Sequence, residues 1–118
     1  MINDPAIESL TRFLDLSVYR SGLILSNMAN VDTPNYKTRD INFLEELQSV
    51  GETNELASLQ PAAHAVPGLI ERPDGNNVNV ERESLLLADT QMRFNTCVEL
   101  LRDRFKMLSS AIHEGSGS

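Results

Sequence analysis

Few side chains in this sequence have the chemistry for covalent or metal catalysis, and their spacing works against it. Cys97 is the single cysteine, so no intrachain disulfide can form, and the two histidines, His64 and His113, lie far apart in sequence. His64 sits in a Pro/Ala-rich stretch with no nucleophile beside it, and His113 stands near a helix end, where it can meet the backbone dipole favourably. The expectation is no catalytic residue, no metal and no cofactor, with Cys97 a small apolar side chain on a helix. The more telling side chains are amides. Residues 26–37 read SNMANVDTPNYK, placing Asn27 and Asn30 three apart where an apolar-periodic segment stops. Asn amides can bond the carbonyls that a helix end leaves open, Pro34 blocks continuation, and Asn35 suits a tight turn because Asn tolerates positive φ better than other non-glycine residues.

Two long helices must position that turn. Asp4-Pro5 is a helix-start signal, since Asp caps free backbone N–H groups and Pro has no donor to lose at the first helical position. Glu8 in the first turn suits the dipole. From there Ile7, Leu10, Leu14, Val18, Leu25 and Met28 recur on one face, with Ser21 in the remaining slot. One helix is predicted from about residue 5 to about residue 30, roughly 39 Å long, ending before Thr33-Pro34 because the residue ahead of a proline is pushed out of helical backbone.

A second helix is predicted from about 80 to 112, roughly 50 Å long. Val80, Leu87, Phe94, Leu101 and Leu108 stand seven apart, and Val98, Phe105 and Ile112 follow four residues after the last three of them, as in a coiled-coil seam. Asn79 is its candidate cap, with Glu81 and Glu83 in the first turn and Arg102, Arg104 and Lys106 toward the other end. An amphipathic helix of that length needs a partner of similar length, supplied by the first helix or by neighbouring subunits.

Between the helices Asp40, Ile41, Phe43, Leu44 and Leu47 suit a short helix, whereas residues 51–77 carry Pro61, Pro67, Pro73, Gly51, Gly68 and Gly75 and read as loop or short strand. Asp74-Gly75 is a turn signal ahead of the second helix. The expected fold is mainly α: two long terminal helices as a coiled-coil-like pair around an irregular Pro/Gly-containing middle. The divisions are 1–39, the N-terminal helix and Asn-rich turn; 40–79, an acidic middle; 80–114, the heptad helix; and 115–118, a flexible tail.

Composition narrows the function. The 118 residues are 41% hydrophobic with no Trp, which suits helix packing, and a net charge of -7 leaves no basis for holding nucleic acid. Residues 40–79 carry seven acids and one base, while each flank is near neutral and can approach other chains without much repulsion. No run is long and apolar enough to span a membrane, and the N-terminus lacks the pattern of a cleaved signal peptide.

The run at Ser26, Asn27, Ala29, Asn30, Thr33, Pro34, Asn35, Tyr36 and Lys37 resembles the N-terminal signature of the flagellar rod and hook family of axial proteins. The family usually has Gly where Asn35 stands, a change that preserves the turn. Thr38 to Phe43 and Asp74 to Glu83 resemble the corresponding stretches of a proximal-rod member. The last helix follows the same pattern, with Phe94 in place of a usual Tyr, and the matches together cover about 70 residues. The resemblance implies a structural subunit of the proximal rod of the flagellar basal body, carrying torque from the membrane ring to the distal rod, hook and filament. It implies as partners copies of the chain, other rod subunits, membrane-ring and adaptor proteins at the rod base, and the export gate. It also implies a periplasmic rod location reached without signal cleavage. Phe43 with Leu47 resembles a short element by which early axial subunits engage that gate, and Phe94 with Val98 has the same spacing. Another rod subunit of the family, or a soluble helical adaptor or chaperone, are the alternatives. The adaptor would explain the heptads and leave the Asn-rich run unexplained.

Overall fold

A computed structural model describes residues 4–49 and 60–116. Helix α1 spans Pro5–Ala29, and the Asp4 side chain caps it by accepting from the Ala6 N–H at 2.9 Å. It stops at Asn30, whose backbone N–H returns to the carbonyls of Ser26 and Asn27. Helix α3 spans Val80–Ser116 and is capped by Asn79, whose Oδ1 accepts from the Arg82 N–H at 3.1 Å. It runs past the expected end near residue 112 into the segment read as a tail.

The two helices lie antiparallel. Asn27 meets Glu83 at one end, Leu10 meets Cys97 midway, and Asp4 meets Arg104 at the other. The chain is mainly helical and elongated, 72 × 28 × 19 Å, with a radius of gyration of 18.6 Å. A compact chain of this length would have roughly 13–14 Å. Beyond Arg104, α3 continues for roughly three more turns.

Between them strand β1 (Arg39–Ile41), helix α2 (Phe43–Ser49) and strand β2 (Ala63–Ala65) follow in order. β1 and β2 pair antiparallel, with Asp40 opposite His64. Asn42 caps α2, as its Oδ1 accepts from the Glu45 N–H. α2 then docks on α1 through the edge of Phe43 against Phe13, ring centroids 4.9 Å apart. Residues 50–59, which hold the first part of the expected loop, lie outside the described residues.

The faces that meet are offset from the apolar stripes read in the sequence. On α1 the covered side chains step by four and three through Ala6, Leu10, Phe13, Ser17, Arg20, Ile24 and Asn27, with the fully buried Leu16 beside Ser17. Ile7, Leu14, Val18, Leu25 and Met28 are each the next residue on, roughly 100° round the helix. Val18 is 61% exposed and Leu25 55%. On α3 the deepest register is Glu83, Thr90 and Cys97, continued by Arg104. Leu87, Phe94, Val98, Leu101 and Leu108 are half-buried beside it, whereas Val80, Phe105 and Ile112 are exposed. A search for apolar periodicity finds the greasiest stripe; on α3 the innermost register is largely polar, with Glu83 and Arg104 meeting Asn27 and Asp4 and Thr90 bonding back to the Leu86 carbonyl, while on α1 Leu16 and Ile24 are fully buried.

Candidate functional site: an asparagine knot at the helix junction

The Asn-rich run and the stretch leading into α3 are far apart in sequence and form one site in space. Asn27, 1% exposed, is at its centre with every amide valence used. Its Nδ2 donates to the Arg39 carbonyl at 2.9 Å and to Glu83 Oε2 at 3.0 Å. Its Oδ1 accepts from the Tyr36 hydroxyl at 3.0 Å and from the Arg39 N–H at 3.1 Å. One side chain on α1 thus joins the turn, β1 and α3. Glu83 is fully buried, and its other oxygen accepts from Arg82 Nη1 at 2.8 Å, which balances the charge that Asn27 leaves uncompensated.

The turn after α1 is held from both sides. Asn30 Nδ2 donates back to the Ser26 carbonyl, the helix-end contact expected of it, and its Oδ1 accepts from the Thr33 hydroxyl. Asn27 departs from that expectation by bonding β1 and α3 instead of an open helix carbonyl. Asn35 has φ 64° and its N–H donates to the Asp74 carbonyl at 2.9 Å, so the two turns lie against each other. At Gly75 (φ 82°) a Cβ would stand 2.3 Å from Asn35 Oδ1, so a larger residue would have to displace the Asn35 side chain and adopt a left-handed backbone. Lys37 Nζ donates to Glu71 and to the Gly75 carbonyl. Ala29 and Pro34 are exposed, and the Ser26 hydroxyl lies 3.5 Å from that of Tyr36.

Several residues that complete the knot were not singled out by sequence reasoning. Asn76, fully buried, donates through Nδ2 to the carbonyls of Asn30 and Thr33 and accepts from the Val78 N–H. Asn77 Oδ1 accepts from the Thr38 N–H at 2.7 Å. Arg72 donates to the carbonyls of Val78 and Val31, bracing the loop against the end of α1. Arg20 makes a two-point contact with Asp40, at 3.0 and 2.8 Å, that ties β1 to α1. The seven-residue spacing of Glu83, Thr90, Cys97 and Arg104 was the available signal for the inner register, visible once polar residues are admitted to a heptad.

Along the pair, burial pushes the Cys97 thiol up, so at neutral pH it stays protonated and donates to the Leu10 carbonyl at 3.3 Å. At the far end Arg104 Nε donates to Asp4 Oδ2 at 2.6 Å; this bond holds the Asp4 carboxyl below its ordinary value and the guanidinium above its own. Phe43 and Leu47, whose spacing resembles an export element, are half-buried on α2, Phe43 against Phe13. His64 is exposed on β2. Among the described residues no three His, Cys, Asp or Glu side chains gather as metal ligands, and no helix is long and apolar enough to cross a membrane.

No family model matches the chain. Curated relatives do. It is 29% identical to a flagellar basal body rod protein FlgB of Yersinia enterocolitica, over 95% of this chain and 96% of the relative. It is 26% identical to that of Escherichia coli K12, over 96% of each. It is 35% identical to that of Cereibacter sphaeroides, over 79% of this chain and 82% of the relative.

Proposed function

The chain belongs to the FlgB family of flagellar basal body rod proteins, and from that premise we propose that it is a structural subunit of the proximal rod, passing torque from the membrane ring toward the distal rod, hook and filament. The observation that carries this reading is the offset between seam and stripe. The subunit covers its polar register and leaves Val18 and Leu25 on α1, and Phe105 and Ile112 on α3, exposed to solvent. Apolar stripes of that length on stiff helices are surfaces for side-by-side packing. The partners are further copies of the chain, other rod subunits, and the ring and adaptor proteins at the rod base. The role is mechanical and uses no catalytic group. The chain reaches the periplasmic rod through the flagellar export gate without signal cleavage, read there through Phe43 and Leu47 before α2 docks on Phe13.

The test is Val18→Asp in the parent bacterium beside the control Glu99→Lys, whose surface pair with Arg102 contributes little. Val18→Asp is expected to be made and exported, to melt like the parent as an isolated protein, and to give cells without hooks or filaments, while the control swims. Normal flagella on Val18→Asp cells would remove this face from the assembly and favour a soluble helical adaptor.

A further inference from the structure

The seven-residue spacing of the apolar side chains on α3 does not by itself choose one stagger of the helix pair. If α3 slid along α1 by one heptad, roughly 10 Å, Leu87, Phe94, Leu101 and Leu108 would exchange places with one another, large apolar for large apolar. The polar register is not degenerate in this way. In one direction Asn27 would face Thr90 and Asp4 would face Ala111; in the other they would face Asn76 and Cys97. Either slip strips the Asn27 amide of its carboxylate and Asp4 of its guanidinium. Asn76, four residues ahead of α3, is pinned to the Asn30 and Thr33 carbonyls just past the end of α1, so the start of α3 is held from the loop side as well.

We infer that the knot around Asn27 and Asn76, with Asp4–Arg104 at the opposite end, is a register lock that selects one stagger of α1 and α3. Buried polar contacts suit this task because a wrong register leaves them unpaired, whereas a wrong apolar layer costs little. What the lock controls is the outer surface: a one-heptad slip displaces Phe105 and Ile112 relative to Val18 and Leu25 by the same distance. The importance of that surface rests on the rod reading; the lock itself is a property of the isolated chain.

The experiment measures the stagger directly. Nitroxide labels at Glu8→Cys and Gln91→Cys, both exposed sites, report the α1–α3 distance by pulsed electron paramagnetic resonance in a Cys97→Ser background, whose hydroxyl can still donate to Leu10. The parent is expected to give one narrow distance. Asn27→Asp sets a carboxylate against Glu83 and the Arg39 carbonyl, and Asn76→Ala releases the start of α3. Each is expected to keep helicity while adding a population displaced by up to roughly 10 Å. Adding Glu83→Gln to Asn27→Asp restores a donor and should shrink the second population. Leu101→Ala, which weakens the apolar seam, should lower the melting temperature and keep the single distance.

A single unshifted distance in both Asn27→Asp and Asn76→Ala would overturn the lock. So would loss of helicity in both, which would mean the knot holds the fold and does not choose among registers. A second population in Leu101→Ala would overturn it from the other side. None of these outcomes bears on whether Val18→Asp blocks rod assembly, so the two readings fail separately.

Discussion

The two ends of the helix pair are held by different physics. At one end α1, the turn after it, the 72–79 loop and the start of α3 are tied by side chain to backbone hydrogen bonds around Asn27 and Asn76, both almost fully buried. At the other end a two-point carboxylate–guanidinium contact joins Asp4 to Arg104, after which α3 runs on with Phe105 and Ile112 exposed. One end is cross-tied by many buried hydrogen bonds. The other presents apolar helix that the other described residues leave exposed. Hydrogen bonds with single correct partners define geometry, whereas apolar side chains, Leu25 and Val80 beside the knot as well as Phe105 and Ile112 beyond Arg104, accept any neighbour of suitable shape.

That contrast can be broken most forcefully at Asn27. Asn27→Leu leaves the Arg39 carbonyl, the Arg39 N–H and the Glu83 carboxylate without their buried partner, and is expected to cost about 3 kcal/mol or more, read as a fall in the denaturant midpoint. A loss near that of an exposed substitution would show that the knot is solvent-tolerant. Gly75→Ala should cost less, about 1–2 kcal/mol, because a Cβ meets Asn35 Oδ1 and the backbone φ is positive. Adding Asn35→Gly should recover the part due to the Asn35 side chain and leave the φ part, so no recovery would assign the cost to the backbone conformation alone.

The smallest effect belongs to the far end and depends on pH. Asp4 is depressed in the fold, so its contribution is present above its unfolded value, about 3.9, and is lost as pH falls through the lower folded value. Melting temperatures of the parent and Asp4→Asn should therefore differ at neutral pH and converge in acid below that range. A constant difference at every pH would assign the effect to helix capping of the Ala6 N–H instead of the pair with Arg104.

Much of this was legible along the chain. Asp4-Pro5 starts α1 and Asn79 caps α3, Pro34 stands in the turn that follows α1, Asn35 takes the positive φ that its type allows, and Asp74-Gly75 turns. The short helix expected around Phe43 and Leu47 forms, but Asp40 and Ile41, read into it, pair instead with β2 as part of β1, and Asn42 caps the helix. The run around Asn27 was recognised as a site without its partners. Glu83 was read only as a first-turn acid, while Asn76 and Asn77 appeared only as part of the run leading into α3.

The sequence by itself determined where the two long helices begin, where the first one stops and where the turns at Asn35 and Asp74-Gly75 fall, because those outcomes depend on caps, prolines and φ preferences within a few residues of one another. Only the tertiary structure decided which face of each helix is covered. Glu83, Thr90, Cys97 and Arg104 look like a solvated or indifferent register until Asn27, Leu10 and Asp4 are brought against three of them. The carboxylate that completes the Asn27 amide lies 56 residues away, and burying a polar side chain is favourable only where such a partner waits, which periodicity along one helix does not reveal.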